Sequence, residues 1–299
     1  GFGMLKVNKF FPGVEVSGNL EDNSTFIISA ISDDLPGSRK LVTIKASGKS
    51  ADGLAKATVS EQSLVYPILF NQPPAPLMVK HGFSSAGEFE VASNPDGRGI
   101  AAPLSLWSDT VVTLSGTHHH SCVLSEFHAG NCSTNTYSDH SIKQPDIADG
   151  SASFPEDLLS YLFNIPSTEW IQLQQQSDFL LADCDTLGIG SWGVIWVNGD
   201  CDVSASTQIG SQSEPVILVI FDGNVVFQNN VTLYGLLFSF RPADSIKVLD
   251  INMQTHSVVF GAVVTNYQLG TKGVLTRVVF HADVIQKLQD SKRLQRVAR

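Results

Sequence analysis

The sequence predicts a mainly β protein: an N-terminal antiparallel β-meander, then a short β-solenoid (β-helix) with an inserted helical segment and a C-terminal helix. Three observations lead there. Runs with apolar residues at alternate positions fill the first 67 residues, each bounded by turn formers. Further on, a unit of short apolar strand, Asn/Asp-Gly corner and second short strand recurs at roughly 22 to 27 residues. Finally, only 16% of the residues are charged while 42% are hydrophobic, a balance suited to apolar strands joined by small polar corners.

The meander is read from Val14-Glu15-Val16-Ser17, the stretch Thr25 to Ile31, Leu41 to Ser47, and Ala57 to Tyr66, separated by Asn23-Ser24 and Asp33-Asp34-Leu35-Pro36-Gly37. Period-two patterning implies a sheet with one covered face. No element before it does the covering, so a further N-terminal helix is expected, and the Gly1-Phe2-Gly3 opening reads as a remnant ahead of a trimmed native start. The domain reading is therefore 1–70 for this sheet and 71–299 for the rest.

The repeat begins with Ala75-Pro76-Leu77 and Ala102-Pro103-Leu104, which are 27 residues apart. It returns in Ile195 to Asp200 and Val219 to Asn224, which are 24 apart. One such rung cannot bury its own face, so stacked rungs follow; a β-sandwich with repeating hairpins is the alternative. Later rungs are expected at 231–240, 257–265 and 274–280. Between about 116 and 192 the pattern breaks. Phe154-Pro155-Glu156-Asp157 and Pro166-Ser167-Thr168-Glu169 carry helix-start signals, and the second helix is extended through Trp170 and Leu173 to Phe179-Leu180. A last amphipathic helix is expected at 282–297.

Charge narrows the function classes. With 19 basic and 29 acidic residues the net charge is −10, which disfavours a nucleic-acid partner recognised through phosphates. The longest wholly apolar run, Val216 to Phe221, is far short of a membrane span. The region from Ala282 to Arg299 is net cationic, with five basic and two acidic residues.

Four cysteines, Cys122, Cys132, Cys184 and Cys201, form no Cys-x-x-Cys pair. Two local disulfides, Cys122–Cys132 and Cys184–Cys201, fit the even count and place the chain in the periplasm or outside the cell; four free buried thiols are the alternative. The metal candidates are His118, His119, His120 and His128, with His140 near them. Consecutive histidines on an extended chain diverge, so a polar loop with a disulfide is preferred and no metal or other cofactor is expected. Corner acids Asp96, Asp109, Asp200, Asp202 and Asp222 are read as turn formers before catalytic carboxylates. Asp183-Cys184-Asp185 and Asn94-Pro95-Asp96-Gly97 lack an alternating calcium-ligand pattern. Gly188 to Trp192 completes neither a nucleophile elbow nor a dinucleotide loop. No enzyme is expected.

Several motifs in order resemble type IV pilus assembly proteins of the PilX type. They are Ala51 to Ala57, Pro74-Ala75-Pro76-Leu77, Cys184, Val194 to Cys201, Pro215 to Phe227, Leu233 to Leu237, and a closing Val284-Ile285 helix. The resemblance implies a pilin-like N-terminal sheet and a membrane-anchoring N-terminal helix. It also implies a minor-pilin-like role in filament assembly or surface display for adhesion, with other pilus subunits as partners and a surface glycan or host ligand to contact. Asp109 departs from the pattern by standing where a Gly corner is expected. An extracellular carbohydrate-binding or carbohydrate-active β-helix protein is the alternative reading.

Overall fold

The computed structural model describes residues 15–20, 22–35, 39–85, 89–99, 102–114, 119–130, 132, 137–138, 142–271 and 276–298. The chain is mainly β and divides into two units, residues 1–70 with 289–299, and residues 71–288.

The first unit is an antiparallel sheet in the order β1 (Glu15–Asn19), β2 (Thr25–Leu35), β3 (Arg39–Lys49), β4 (Lys56–Pro67) and a C-terminal strand, Gln295–Ala298. Alternation puts Ile28, Ala30, Val42 and Ile44 on one face, with Ala30 opposite Ile44. Together with Val16 and Val65 they form a small apolar cluster. The turn after β3 is built by Asp52, whose carboxylate accepts from the Ser50 hydroxyl (2.6 Å) and the Leu54 N–H (3.0 Å).

The C-terminal strand corrects the expected helix at 282–297. The helix spans Ala282–Asp290, burying Val284, Ile285 and Leu288. Ser291 is extended, with ψ 127°, and Gln295 to Ala298 then pair with Pro67 back to Leu64. Cross-strand pairing overrides the local helical pattern there, and it carries the end of the chain into the first unit.

The second unit winds through three parallel ladders. The longest stacks Phe179–Leu181, Gly193–Asn198, Val216–Phe221, and parts of Thr232–Phe240 and Val258–Thr265. It then continues with Leu77–Val79, Leu106–Ser108 and Ile147–Ala148. A second ladder pairs Cys201–Val203, Val225–Phe227 and Ile251–Met253, and separately Leu269–Thr271, Phe83–Ser85 and Val112–Leu114. A third runs Gln208–Ile209, Thr232, Val258, Thr276–Val279, Phe89–Ala92 and His119–Cys122.

Two register details differ from the repeat as read. Leu77 stands beside Leu106, not Leu104, because Leu104 is taken up in a bridge to Asn94. Ile195 aligns with Leu218, whereas Cys201 aligns with Val225. The offset grows by one residue across a corner that has Gly199-Asp200 in one coil and Asp222-Gly223-Asn224 in the next.

Stacking order is not chain order. The rung at Val263 lies beside the rung at Leu77, so the chain enters mid-stack, winds to one end at Ile147, and restarts from the other end at Phe179. Eight rungs about 4.8 Å apart require a return of about 34 Å. Residues 149–178 make it, through the helices Leu158–Phe163 and Ile171–Gln175. Asp157 caps the first of these, accepting from Ser160 N (3.0 Å), and its other oxygen accepts from Ser167 N (2.7 Å).

The return packs along the outer face of the long ladder in order. Phe154 meets Trp107 (5.1 Å between ring centroids), Phe163 meets Phe238 (5.7 Å), and Trp170 meets Phe221 (4.3 Å) and Trp196 (5.7 Å). Covered on both faces, the long ladder carries near-continuous apolar strands such as Val216 to Ile220, all buried. The second ladder alternates, as in buried Val112, exposed Thr113 and buried Leu114.

The expected break at 116–192 is accordingly smaller. His119–Cys122, Ile147–Ala148 and Phe179–Leu181 are rungs within it, and Phe179-Leu180 are strand rather than helix.

Candidate functional site

The corner carboxylates clamp one coil to the next. Asp200 accepts from Asn224 N (2.7 Å) and Nδ2 (3.2 Å), and Asn224 Oδ1 in turn accepts from Asp250 N (3.0 Å). Asp202 accepts from Gln228 Nε2 at 2.9 Å. Asp109, at the departure from the Gly pattern, accepts from His81 N (2.6 Å), with His81 Nδ1 3.7 Å from its other oxygen. That bond supports His81 in the left-handed region, φ 66°.

Asp222, also left-handed at φ 54°, accepts from Ser245 Oγ (2.5 Å) and pairs with Lys247 Nζ (3.0 Å). Burial pushes its carboxyl up, but the Ser245 hydroxyl, Lys247 and Arg241 together hold it below the usual carboxylate range. Asp96 belongs to its own turn, its N–H donating to Asn94 Oδ1 (3.2 Å).

The histidines diverge. His119 lies opposite Phe89 in the third ladder and is buried, its ring 6.3 Å from that of Phe89. His120 projects to the other side, as adjacent residues on a strand must. His128 sits in the last turn of the helix Leu124–Ala129, and His118 and His140 lie outside the described residues. Cys122 is bonded to Cys132, and Cys184 to Cys201, so no thiolate is offered to a metal. Among the described residues no three His, Cys, Asp or Glu come together as a metal site.

The other candidates are likewise local structure. Asp183 Oδ1 accepts from Asp185 N (3.1 Å), and Ser191 Oγ accepts from Gly188 N (3.0 Å). One buried carboxylate escaped notice in the sequence. Asp146 accepts from Ser121 Oγ (2.5 Å), Ser138 Oγ (2.7 Å) and Ser138 N (3.1 Å), while its carbonyl accepts from Ser105 N (2.7 Å). This polar network joins the Ile147 end of the stack.

The opposite end is apolar and open. Phe179, Leu181, Leu187 and Ile195, with Gly188 and Ser191, line a cleft of about 280 Å³. A T-shaped contact, 4.9 Å between centroids, holds Phe179 against Trp192. Sequence reasoning missed this end because Phe179-Leu180 read as helix. A usable signal was present: no Lys, Arg or His occurs between Gln144 and Phe240, against twelve Asp or Glu.

The fold and this geometry define a β-rich protein whose polar side chains tie coils together and whose ladder ends on an apolar edge. No family model matches the chain, and no curated protein matches it. Among solved structures, the competence-associated pilin ComZ from Thermus thermophilus is similar at 10% sequence identity and a TM-score of 0.29, over 97% of this chain and 87% of that one. A likeness of that size carries no argument about this chain's fold or role.

Proposed function

We propose that the chain is a non-enzymatic, extracytoplasmic protein of a type IV pilus system, acting in filament assembly or surface display. The observation that supports this most is the use of its carboxylates: Asp109, Asp200, Asp202 and Asp222 are all engaged in bonds between neighbouring coils. A fold that directs its polar chemistry into its own stacking suits a structural and interaction role. The ordered motifs resembling PilX-type proteins point to the pilus, and two disulfides fit an oxidising compartment. No helix among the described residues is long and apolar enough to cross a membrane. In this reading a pilin-like N-terminal helix anchors the precursor, and the partners are other pilus subunits.

The test is deletion of the gene in its piliated host, with surface filaments counted by electron microscopy. Loss of filaments, restored by the gene in trans, is expected. Normal filament number, with the protein absent from sheared filament fractions, would overturn the reading. No observation favours the carbohydrate-binding alternative, because Trp107, Trp170 and Trp196 are packed against other aromatic rings.

A further inference from the structure

The long ladder ends on Phe179–Leu181, which pairs with Gly193–Asn198 on one side and, among the described residues, with no strand on the other. Phe179 and Leu181 stand in register with Ile195 and Val197, so their side chains continue the core row. Leu181 packs on the core, but Phe179 is still 36% exposed and Leu180, on the outer side, 59%. A cleft lined by Phe179, Leu181, Leu187 and Ile195 opens beside this edge, with Cys184 and Leu187 buried in the core there. An open edge of this kind is a template for strand addition.

Charge identifies what fits. The surface flanking the edge holds exposed Asp178, Asp183 and Asp185, within the stretch from Gln144 to Phe240 that lacks any cation. Residues 71–288 carry eight basic against twenty-one acidic side chains, net −13. Residues 1–70 with 289–299 carry eleven against eight, net +3. That cationic unit has an outer strand of its own. Among the described residues Gln295–Ala298 ends the sheet, paired with β4; it carries Arg296 and follows exposed Lys292 and Arg293. The two edges are both short, four residues against three.

We propose that copies of this chain associate head to tail, the cationic strand Gln295–Ala298 of one copy adding to the acidic edge Phe179–Leu181 of the next. The contact is heterologous, joining unlike edges, so it builds rows of copies or, where the rotation closes, rings. The inference stands on edges and charge and does not rest on the pilus reading.

The test uses the full chain in sedimentation equilibrium with hydrogen exchange. Mass should rise with concentration up to about 1 mM, the range of a small interface. Raising NaCl from about 0.05 to about 0.5 M should weaken association about tenfold. Amides of 179–181 and 295–298 should exchange more slowly as concentration rises.

The double variants Asp183→Lys/Asp185→Lys and Lys292→Glu/Arg293→Glu should each associate about tenfold more weakly. Mixing the two should restore association, because each then offers the charge the other lacks. Leu180→Lys, at an exposed position outside the Asp183 turn, checks that weakening does not come from misfolding. The proposal is overturned by a single-copy mass throughout, by association without protection of both strands, or by a mixture that fails to recover.

Discussion

At the scale of single residues, the ladders depend on backbone positions that admit no side chain. Thr232–Phe240 and Val258–Thr265 each pass from the third ladder into the long one, bending at Gly235 (φ 145°) and Gly261 (φ 144°). A Cβ on Gly261 would lie 1.9 Å from the Gly235 carbonyl oxygen, and one on Gly235 1.9 Å from that of Val216. Both the dihedral and the space require glycine. Gly261→Ala should destabilise the protein by about 3 kcal/mol, read as a lower thermal midpoint; an unchanged midpoint would contradict this stacking. The Asp222–Lys247 pair makes a pH-dependent statement. A carboxyl held low in the folded state stabilises it above the unfolded pKa, and that contribution is lost as pH falls through the folded value. The stability advantage of wild type over Lys247→Met should therefore shrink below about pH 4, measured by denaturant midpoints across pH.

At the scale of elements, the return segment is held by aromatic contacts, with Trp170 packed onto the adjoining rings of Phe221 and Trp196. Trp170→Ala should cost about 3 kcal/mol and open the 164–178 region to limited proteolysis before the ladders unfold. The disulfides can be counted: denatured, unreduced protein should show no free thiol. Cys184→Ser/Cys201→Ser should lose about 3 kcal/mol by loop-closure entropy, seen as a lower midpoint. The strands of 193–227 were legible because strand, corner and strand lie within one short stretch. The corner acids were legible as corner residues but not as clamps between coils, because their partners, Asn224 for Asp200 and His81 for Asp109, lie a whole coil away. Phe179–Leu181 was not, since three apolar residues after a helix have no period of their own, and their strand state comes from pairing with Ile195 to Val197. Gln295–Ala298 was hidden by the same cause at far greater distance, its partner being Leu64 to Pro67. The open end was therefore invisible as a surface, although the missing cations around it could be counted.

At the scale of the whole molecule, both units are completed by the last part of the chain. Deleting residues 291–299 should leave β4 as an outer strand and speed amide exchange in Leu64–Pro67, while Val216–Phe221 keeps its protection; loss of protection in both would contradict the two-unit division. The rung order reaches further. Leu77–Val79 has no neighbour on one side until Val263–Thr265 is present, so a chain emerging N-terminus first, from a ribosome or through a secretion channel, holds its early rungs half-built until nearly all of it has appeared. Such a topology folds by late, long-range closure, and it leaves the chain threadable for most of its passage. A rung whose neighbour lies so far along the chain stays an unfinished edge until that neighbour arrives.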